Sequence, residues 1–199
     1  TTNYLQTYPY IGFVKDSYTY LDNELISKKV PKYHYNIIGS VYKVFHTIET
    51  TSSYQDGQLL KTDILKNSDF DSFGNIGIVE STTIDETTGE NFIKTTANQY
   101  TNDESNWILG RLTTASVTSQ AYGESKTKTS SFTYDTNTGI LRSETIEPNS
   151  NKWIKKSYVY DSKGNKTKET IDGADINLRE TRTFYDSLGK FPIQVINPL

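Results

Sequence analysis

The stretch Tyr160-Asp161-Ser162-Lys163-Gly164-Asn165 decides the fold, because it is the clearest copy of a phrase that occurs four times in the chain. Each copy has an aromatic residue, then Asp, then two or three variable residues and Gly. The Asp side chain caps a turn by accepting hydrogen bonds from backbone N–H groups just ahead of it, and Gly takes a positive φ at little steric cost. A type I turn closed by such a Gly forms a bulged hairpin loop, and the aromatic residue ends the incoming strand. Each copy therefore predicts a β-hairpin.

The other copies are Phe70-Asp71-Ser72-Phe73-Gly74-Asn75, the longer Tyr134-Asp135-Thr136-Asn137-Thr138-Gly139, and Tyr185-Asp186-Ser187-Leu188-Gly189-Lys190. The last three copies begin about 25 residues apart, which is enough for a strand, a turn, a returning strand and a link. A fixed period of this kind indicates a repeat architecture. We assign a structural role to the signature residues: Phe70, Asp71, Gly74, Tyr134, Asp135, Gly139, Tyr160, Asp161, Gly164, Tyr185, Asp186 and Gly189.

The rest of the chain also reads as short strands joined by turns. Asp56-Gly57 is the strongest short-range hairpin pattern, and Tyr122-Gly123 and 85–89 predict further turns. Pro31 predicts a break in its run or an edge position, and Gly39 predicts a bulge in a strand from Tyr33 to Thr50. We predict an all-β protein: an antiparallel meander of hairpins in a broad, curved sheet. Its polar returning strands leave too few apolar side chains for a thick core on each face.

The length and composition of the chain restrict the class of protein to which it can belong. The 199 residues suffice for one all-β domain, and the formal net charge of −3 lacks the clustered Lys and Arg of a nucleic-acid footprint. No apolar run is long enough to cross a bilayer. Cys is absent, so the chain has neither disulfides nor thiolate metal ligands, and the absence of Met leads us to expect an excised segment of a longer protein.

The repeats resemble the YD-repeat, or Rhs, family, which includes the B component of bacterial insecticidal toxin complexes. The similarity extends to Asn106-Trp107-Ile108-Leu109-Gly110-Arg111-Leu112-Thr113, to 131–141, to Glu147-Pro148 and to 181–192. It is clearest over 54–199 and looser over 1–53. The resemblance implies that the whole chain, 1–199, is a YD-repeat segment in the wall of a hollow β-shell that encloses a toxic C-terminal cargo.

Residues that could carry chemistry are few. His34 and His46 lack metal-ligand spacing, and we interpret them as strand-surface residues; a deep pocket holding both beside acidic side chains would overturn this interpretation. Asp135–Gly139 is similar to the start of a calcium loop, but Gly comes one position early and Ile146 stands where an EF-hand has Glu. Two acidic pairs could hold an incidental calcium ion, but turn capping is the preferred interpretation: Asp69 with Asp71, and Asp172 with Asp175. We assign no catalytic, cofactor-binding or metal-binding residue.

We consider two hypotheses for the function of this chain. The first is a non-catalytic structural module of a large bacterial secreted toxin-type protein, whose partners are other YD-repeat segments of its parent or of a C component and the cargo polypeptide. The alternative is an adhesive or carbohydrate-binding module at the cell surface, with Trp107 and Trp153 stacking on sugars. Aromatic residues with one solvent-exposed edge are also needed for packing within a thin sheet, so these residues have a structural explanation as well.

Overall fold

The computed structural model describes residues 1–197 and is all-β, which confirms the predicted fold class. Fourteen antiparallel strands form one sheet whose strand order is the order of the chain. Over the described residues no helix occurs, and hence none that could cross a membrane. The strands are β1 (Thr2–Tyr4), β2 (Val14–Leu21), β3 (Glu24–Ile38), β4 (Val41–Gln55), β5 (Gln58–Phe70), β6 (Ile76–Asp85), β7 (Asn91–Asp103), β8 (Ile108–Ala121), β9 (Glu124–Tyr134), β10 (Leu141–Ile146), β11 (Ile154–Tyr160), β12 (Lys166–Gly173), β13 (Ile176–Tyr185) and β14 (Pro192–Ile196).

By its contacts the chain divides into two compact units. Unit 1 comprises Thr1–Ala97 and Val117–Thr127, and unit 2 comprises Asn98–Ser116 and Lys128–Leu199. Strands β7, β8 and β9 contribute residues to both units. The expectation of one repeat segment over 1–199 stays a prediction, as does the curvature of the sheet.

The predicted bulge at Gly39 is wrong, since the chain reverses there. Ile38 on β3 pairs with Val41 on β4, so Gly39 and Ser40 form a two-residue turn. Gly39 has φ +63°, which suits the first central position of a primed hairpin turn. The alternation that the sequence shows on both sides of Gly39 therefore belongs to two paired strands.

Pro31 does not break its strand. Strand β3 continues through Pro31, which pairs with Glu49 on β4. The register between β3 and β2 ends at Lys29, opposite Ser17. Pro31 thus lies just past the two-sided part of β3, in agreement with the alternative that it takes an edge position.

The sheet buries few side chains. Among the described residues Phe45, at 7% exposure, is the one buried hydrophobic side chain, and it packs on Phe70 with ring centroids 4.6 Å apart. Two polar residues, Thr62 and Ser143, are also buried. The expectation that the sheet lacks a thick core is confirmed, so stability must come from contacts between neighbouring strands and turns.

Candidate functional site

The turn after β11 shows the signature geometry. Asp161 Oδ1 accepts hydrogen bonds from the backbone N–H groups of Lys163 and Asn165, both at 2.9 Å, and Oδ2 accepts one from Asn165 Nδ2 at 3.0 Å. The Asp161 N–H donates to Asn165 O at 3.0 Å and the Gly164 N–H to Asp161 O at 3.1 Å. Hydrogen bonds from the backbone and side chain of Asn165 lower the pKa of Asp161. Gly164 has φ +85°, a conformation in which a Cβ is strained.

The turn after β5 repeats this arrangement contact by contact. Asp71 Oδ1 accepts from the Phe73 and Asn75 backbone N–H groups at 2.9 Å each, and Asn75 Nδ2 lies 2.8 Å from Oδ2. The Gly74 N–H donates to Asp71 O at 3.0 Å. Two turns far apart in sequence thus have the same hydrogen-bond geometry.

A longer version of the turn follows β9 and β6. Asp135 Oδ1 accepts from the Asn137 and Thr138 N–H groups at 3.1 and 2.9 Å, and Arg142 Nη2 donates to Oδ2 at 2.8 Å. The Arg142 guanidinium, followed by the Thr138 hydrogen bonds, holds the pKa of Asp135 far below its ordinary value. Asp85 accepts in the same way from the residues that follow it, although Ile84 stands in the aromatic position.

Three of the four signature aromatic residues pack against or hydrogen-bond to an adjacent strand. Tyr134 donates its hydroxyl to Leu112 O on β8 at 2.9 Å, and Tyr185 donates to Lys166 O on β12 at 3.3 Å. Burial raises the pKa of Tyr134. Phe70 lacks a hydroxyl and packs on the Phe45 ring instead, whereas Tyr160 lies half-buried at the end of β11.

The Asp161 turn and the Asp186 turn, which lie one repeat apart in unit 2, touch each other. From the Asp161 turn, Lys163 Nζ donates to Ser187 O at 3.2 Å and Asn165 Nδ2 to Gly189 O at 2.9 Å. A Cβ built on Gly189 would lie 2.5 Å from Lys163 Cδ, so Gly189 is needed for close approach as well as for its φ of +66°. Asp186, which caps this turn, accepts from the Lys190 N–H at 2.7 Å.

Unit 1 contains a related contact. Lys43 on β4 donates to Ser72 O at 2.7 Å, and Ser72 follows a signature Asp as Ser187 does. A Cβ built on Gly74 would lie 3.1 Å from Lys43 Cε. A lysine from the preceding hairpin therefore contacts one signature turn in each unit.

The two histidines are on opposite faces of the β3–β4 pair. Tyr33 is opposite His46, and the next residue, His34, is opposite Phe45. His34 is exposed, with Nε2 3.2 Å from Asn36 Oδ1. His46 lies against Tyr33 and beside Glu49 in an open groove, so the two histidines share no pocket.

Three of the five acidic residues considered for calcium accept hydrogen bonds from backbone N–H groups. Asp71 and Asp135 cap their turns, and Asp172 Oδ1 accepts from the Gly173 N–H at 2.9 Å. Asp175 is exposed in the β12–β13 turn, and Asp69 has φ +55° at the end of β5. Over residues 1–197 no group of three or more His, Asp or Glu side chains is arranged to hold a metal ion.

The structure does not bring Trp107 and Trp153 together. Trp107, 75% exposed, precedes β8 and lies at the end of unit 2 that carries the signature turns. Trp153 precedes β11 and lies at the opposite end of the strands. The seven residues of β11 separate these ends by about 20 Å, since a strand rises about 3.3 Å per residue.

An aromatic patch in unit 1 was missed by the sequence reasoning. Loop 5–13 folds against β3 and β4, where neighbouring ring centroids lie 4.9–6.3 Å apart. The one indication in the sequence is the density of tyrosine in 1–12 and 33–42. The patch consists of Tyr8, Tyr10, Phe13, Tyr33, Tyr35 and Tyr42.

No protein-family model matches this chain, and no curated protein matches it. The resemblance to the YD-repeat family therefore stays a prediction based on the residues quoted above.

Proposed function

We propose that this chain is a non-catalytic structural module whose repeated hairpins form a wall. The observation that carries the proposal is the contact between signature turns one repeat apart, through Lys163 and Asn165. Repeat proteins are stabilised by such nearest-neighbour interfaces. The contact gives the signature residues a role in holding hairpins side by side.

The resemblance to YD repeats supplies the biological setting of the proposal. The module belongs to the β-shell of a large bacterial secreted toxin-type protein, and the shell encloses a toxic cargo polypeptide. Its remaining partners are other YD-repeat segments of the parent or of a C component. Containment requires a face of the wall that makes weak contacts with an unfolded polypeptide.

A face of unit 2 has the chemistry for such contacts. A groove of about 500 Å³ beside the stacked turns is lined by exposed Val159 and Phe184 together with Lys168 and Arg182. Lys168 and Arg182 both pair with Glu180: Lys168 Nζ lies 3.3 Å from Glu180 Oε2, and Arg182 Nε contacts Glu180 Oε1. Apolar groups beside paired charges suit weak contacts with many polypeptide sequences.

Binding of an unfolded polypeptide tests the proposal. Fluorescein-labelled, reduced and carboxymethylated α-lactalbumin serves as the probe, and the native labelled protein serves as the control. We expect saturable binding of the unfolded probe by fluorescence anisotropy, weakened by Phe184→Ser, and no binding of the native protein. Absence of binding to the unfolded probe, or equal binding of both forms, would overturn the containment role.

A further inference from the structure

A groove on unit 1 combines an aromatic surface with a neutral set of hydrogen-bonding groups. Its volume is about 530 Å³. Tyr4 and Tyr33 supply rings, Lys29 and Glu49 supply an ion pair, and Ser17 supplies a hydroxyl. We propose that this groove binds a neutral sugar, by a site distinct from Trp107 and Trp153.

A β-bulge assembles the groove. Lys32 pairs with Ile48 and Tyr33 pairs with His46, so Thr47 is an extra residue on β4. Residues 46 and 49 of a regular strand would point to opposite faces, because successive side chains alternate. The bulge brings His46 and Glu49 to one face, with Nε2 and Oε2 3.9 Å apart. Bulges often re-aim side chains beside binding sites.

Tyr33 and His46 pack together in the lining of the groove. Their ring centroids lie 5.4 Å apart, and Tyr33 also packs edge-on against Phe13 at 5.0 Å. Burial and then the nearby Glu49 raise the pKa of Tyr33, while Lys29 lowers it. Groups fixed by packing before a ligand arrives lose little conformational entropy on binding.

The ion pair favours a neutral polyol over a charged ligand. Lys29 Nζ lies 2.9 Å from Glu49 Oε1, so the formal charges cancel while donors and acceptors remain side by side. An ammonium group only donates hydrogen bonds and a carboxylate only accepts them. Adjacent hydroxyl groups of a sugar can accept from Lys29 and donate to Glu49 at the same time.

Tyr4 provides the stacking surface. It lies on the short edge strand β1, lines the groove and is 52% exposed, so part of its ring is accessible to the apolar C–H face of a sugar. An aromatic ring beside convergent polar groups is the usual composition of a small-molecule site. A peptide ligand is the competing outcome for the test.

Ligand-detected NMR tests the proposal, with saturation transferred from the protein to each probe. The probes are methyl α-glucopyranoside, methyl β-galactopyranoside, N,N′-diacetylchitobiose and an acetylated Pro-rich decapeptide. We expect transfer to at least one sugar, and Tyr4→Ala and Glu49→Gln each weaken its binding about tenfold or more, a loss of about 1.4 kcal/mol. Tyr20→Ala is the matched control, since Tyr20 is 53% exposed and lies outside the groove.

Circular dichroism spectra establish that each variant is folded. If Tyr4→Ala disturbs β1, Glu49→Gln still tests the groove, because it preserves the shape of the side chain. Transfer to no sugar would overturn the proposal. So would equal binding by wild type, Tyr4→Ala and Glu49→Gln, or transfer to the peptide alone.

Discussion

Asn165 Nδ2 donates to Gly189 O at 2.9 Å and to Asp161 Oδ2 at 3.0 Å, so one amide closes its own turn and joins it to the turn one repeat further on. The signature phrase thus acts twice, within a hairpin and between hairpins. In a sheet with so little buried apolar surface, such contacts contribute a larger share of the stability than in a thick domain.

Removing this amide should therefore destabilise the chain. We expect Asn165→Ala to lower the free energy of unfolding by about 1–2 kcal/mol, because each net hydrogen bond contributes about 0.5–1.5 kcal/mol. Urea unfolding measures the effect. Asn151→Ala, at an exposed turn position, is the control and should stay within about 0.5 kcal/mol of wild type. Equal stability of both variants would contradict a role for the turn-to-turn contact.

Backbone conformation sets the cost of a side chain at Gly164. Because Gly164 has φ +85°, Gly164→Val forces a β-branched residue into a strained conformation and should cost roughly 1–3 kcal/mol. Thermal unfolding measures the loss. Ser162→Val, in the same turn, is the control for adding an apolar side chain. An unchanged melting temperature in Gly164→Val would count against the hairpin geometry.

Packing at Phe45 gives a third prediction. Phe45 is the buried contact of Phe70, and we expect Phe45→Ala to cost about 3 kcal/mol through lost transfer energy and the cavity left behind. Phe191, which is 68% exposed, offers the control Phe191→Ala, with an expected loss below about 1 kcal/mol. Similar losses in both variants would show that burial of Phe45 against Phe70 contributes no more packing energy than an exposed ring.

Acid should destabilise the turns. Hydrogen bonds from the Asn106 side chain, then from Ser105, lower the pKa of Asp103 from 3.8 to about 2, and those of Asp85 and Asp161 are lowered as well. The folded state binds protons less readily than the unfolded state, so this stabilisation is complete above pH ~4 and is lost towards pH ~2.

Melting temperatures measured between pH 5 and pH 2 check this expectation. The fall should be smaller in Asp103→Asn, whose amide oxygen still accepts hydrogen bonds but does not titrate. A fall in the melting temperature of Asp103→Asn as steep as that of wild type would contradict the role assigned to the Asp103 carboxylate.

The local turn chemistry and the strand order of the meander could be predicted from the sequence. Asp56-Gly57 and Asp161–Asn165 specify their turns through neighbouring residues. Gly39 was misinterpreted, because the hydrophobic alternation around a two-residue turn continues with almost no interruption and resembles one bulged strand.

Contacts between hairpins could not be predicted. The packing of Lys163 on Gly189 depends on how adjacent turns stack, and the face of His46 depends on the bulge at Thr47. Likewise, Trp107 and Trp153 stood out by residue type, whereas the aromatic patch requires loop 5–13 to fold onto β3 and β4. These features depend on how separate segments pack against one another, which local turn patterns do not specify.

A double-mutant cycle between Lys163 and Gly189 tests the central claim most directly, namely that successive signature turns support each other. In wild type, Gly189→Ala introduces a Cβ that displaces Lys163, whereas in the Lys163→Ala background that contact is gone. We predict that Gly189→Ala costs less in the Lys163→Ala background, with a coupling energy of about 0.5–1.5 kcal/mol from urea unfolding. Strictly additive effects of the two substitutions would contradict the account.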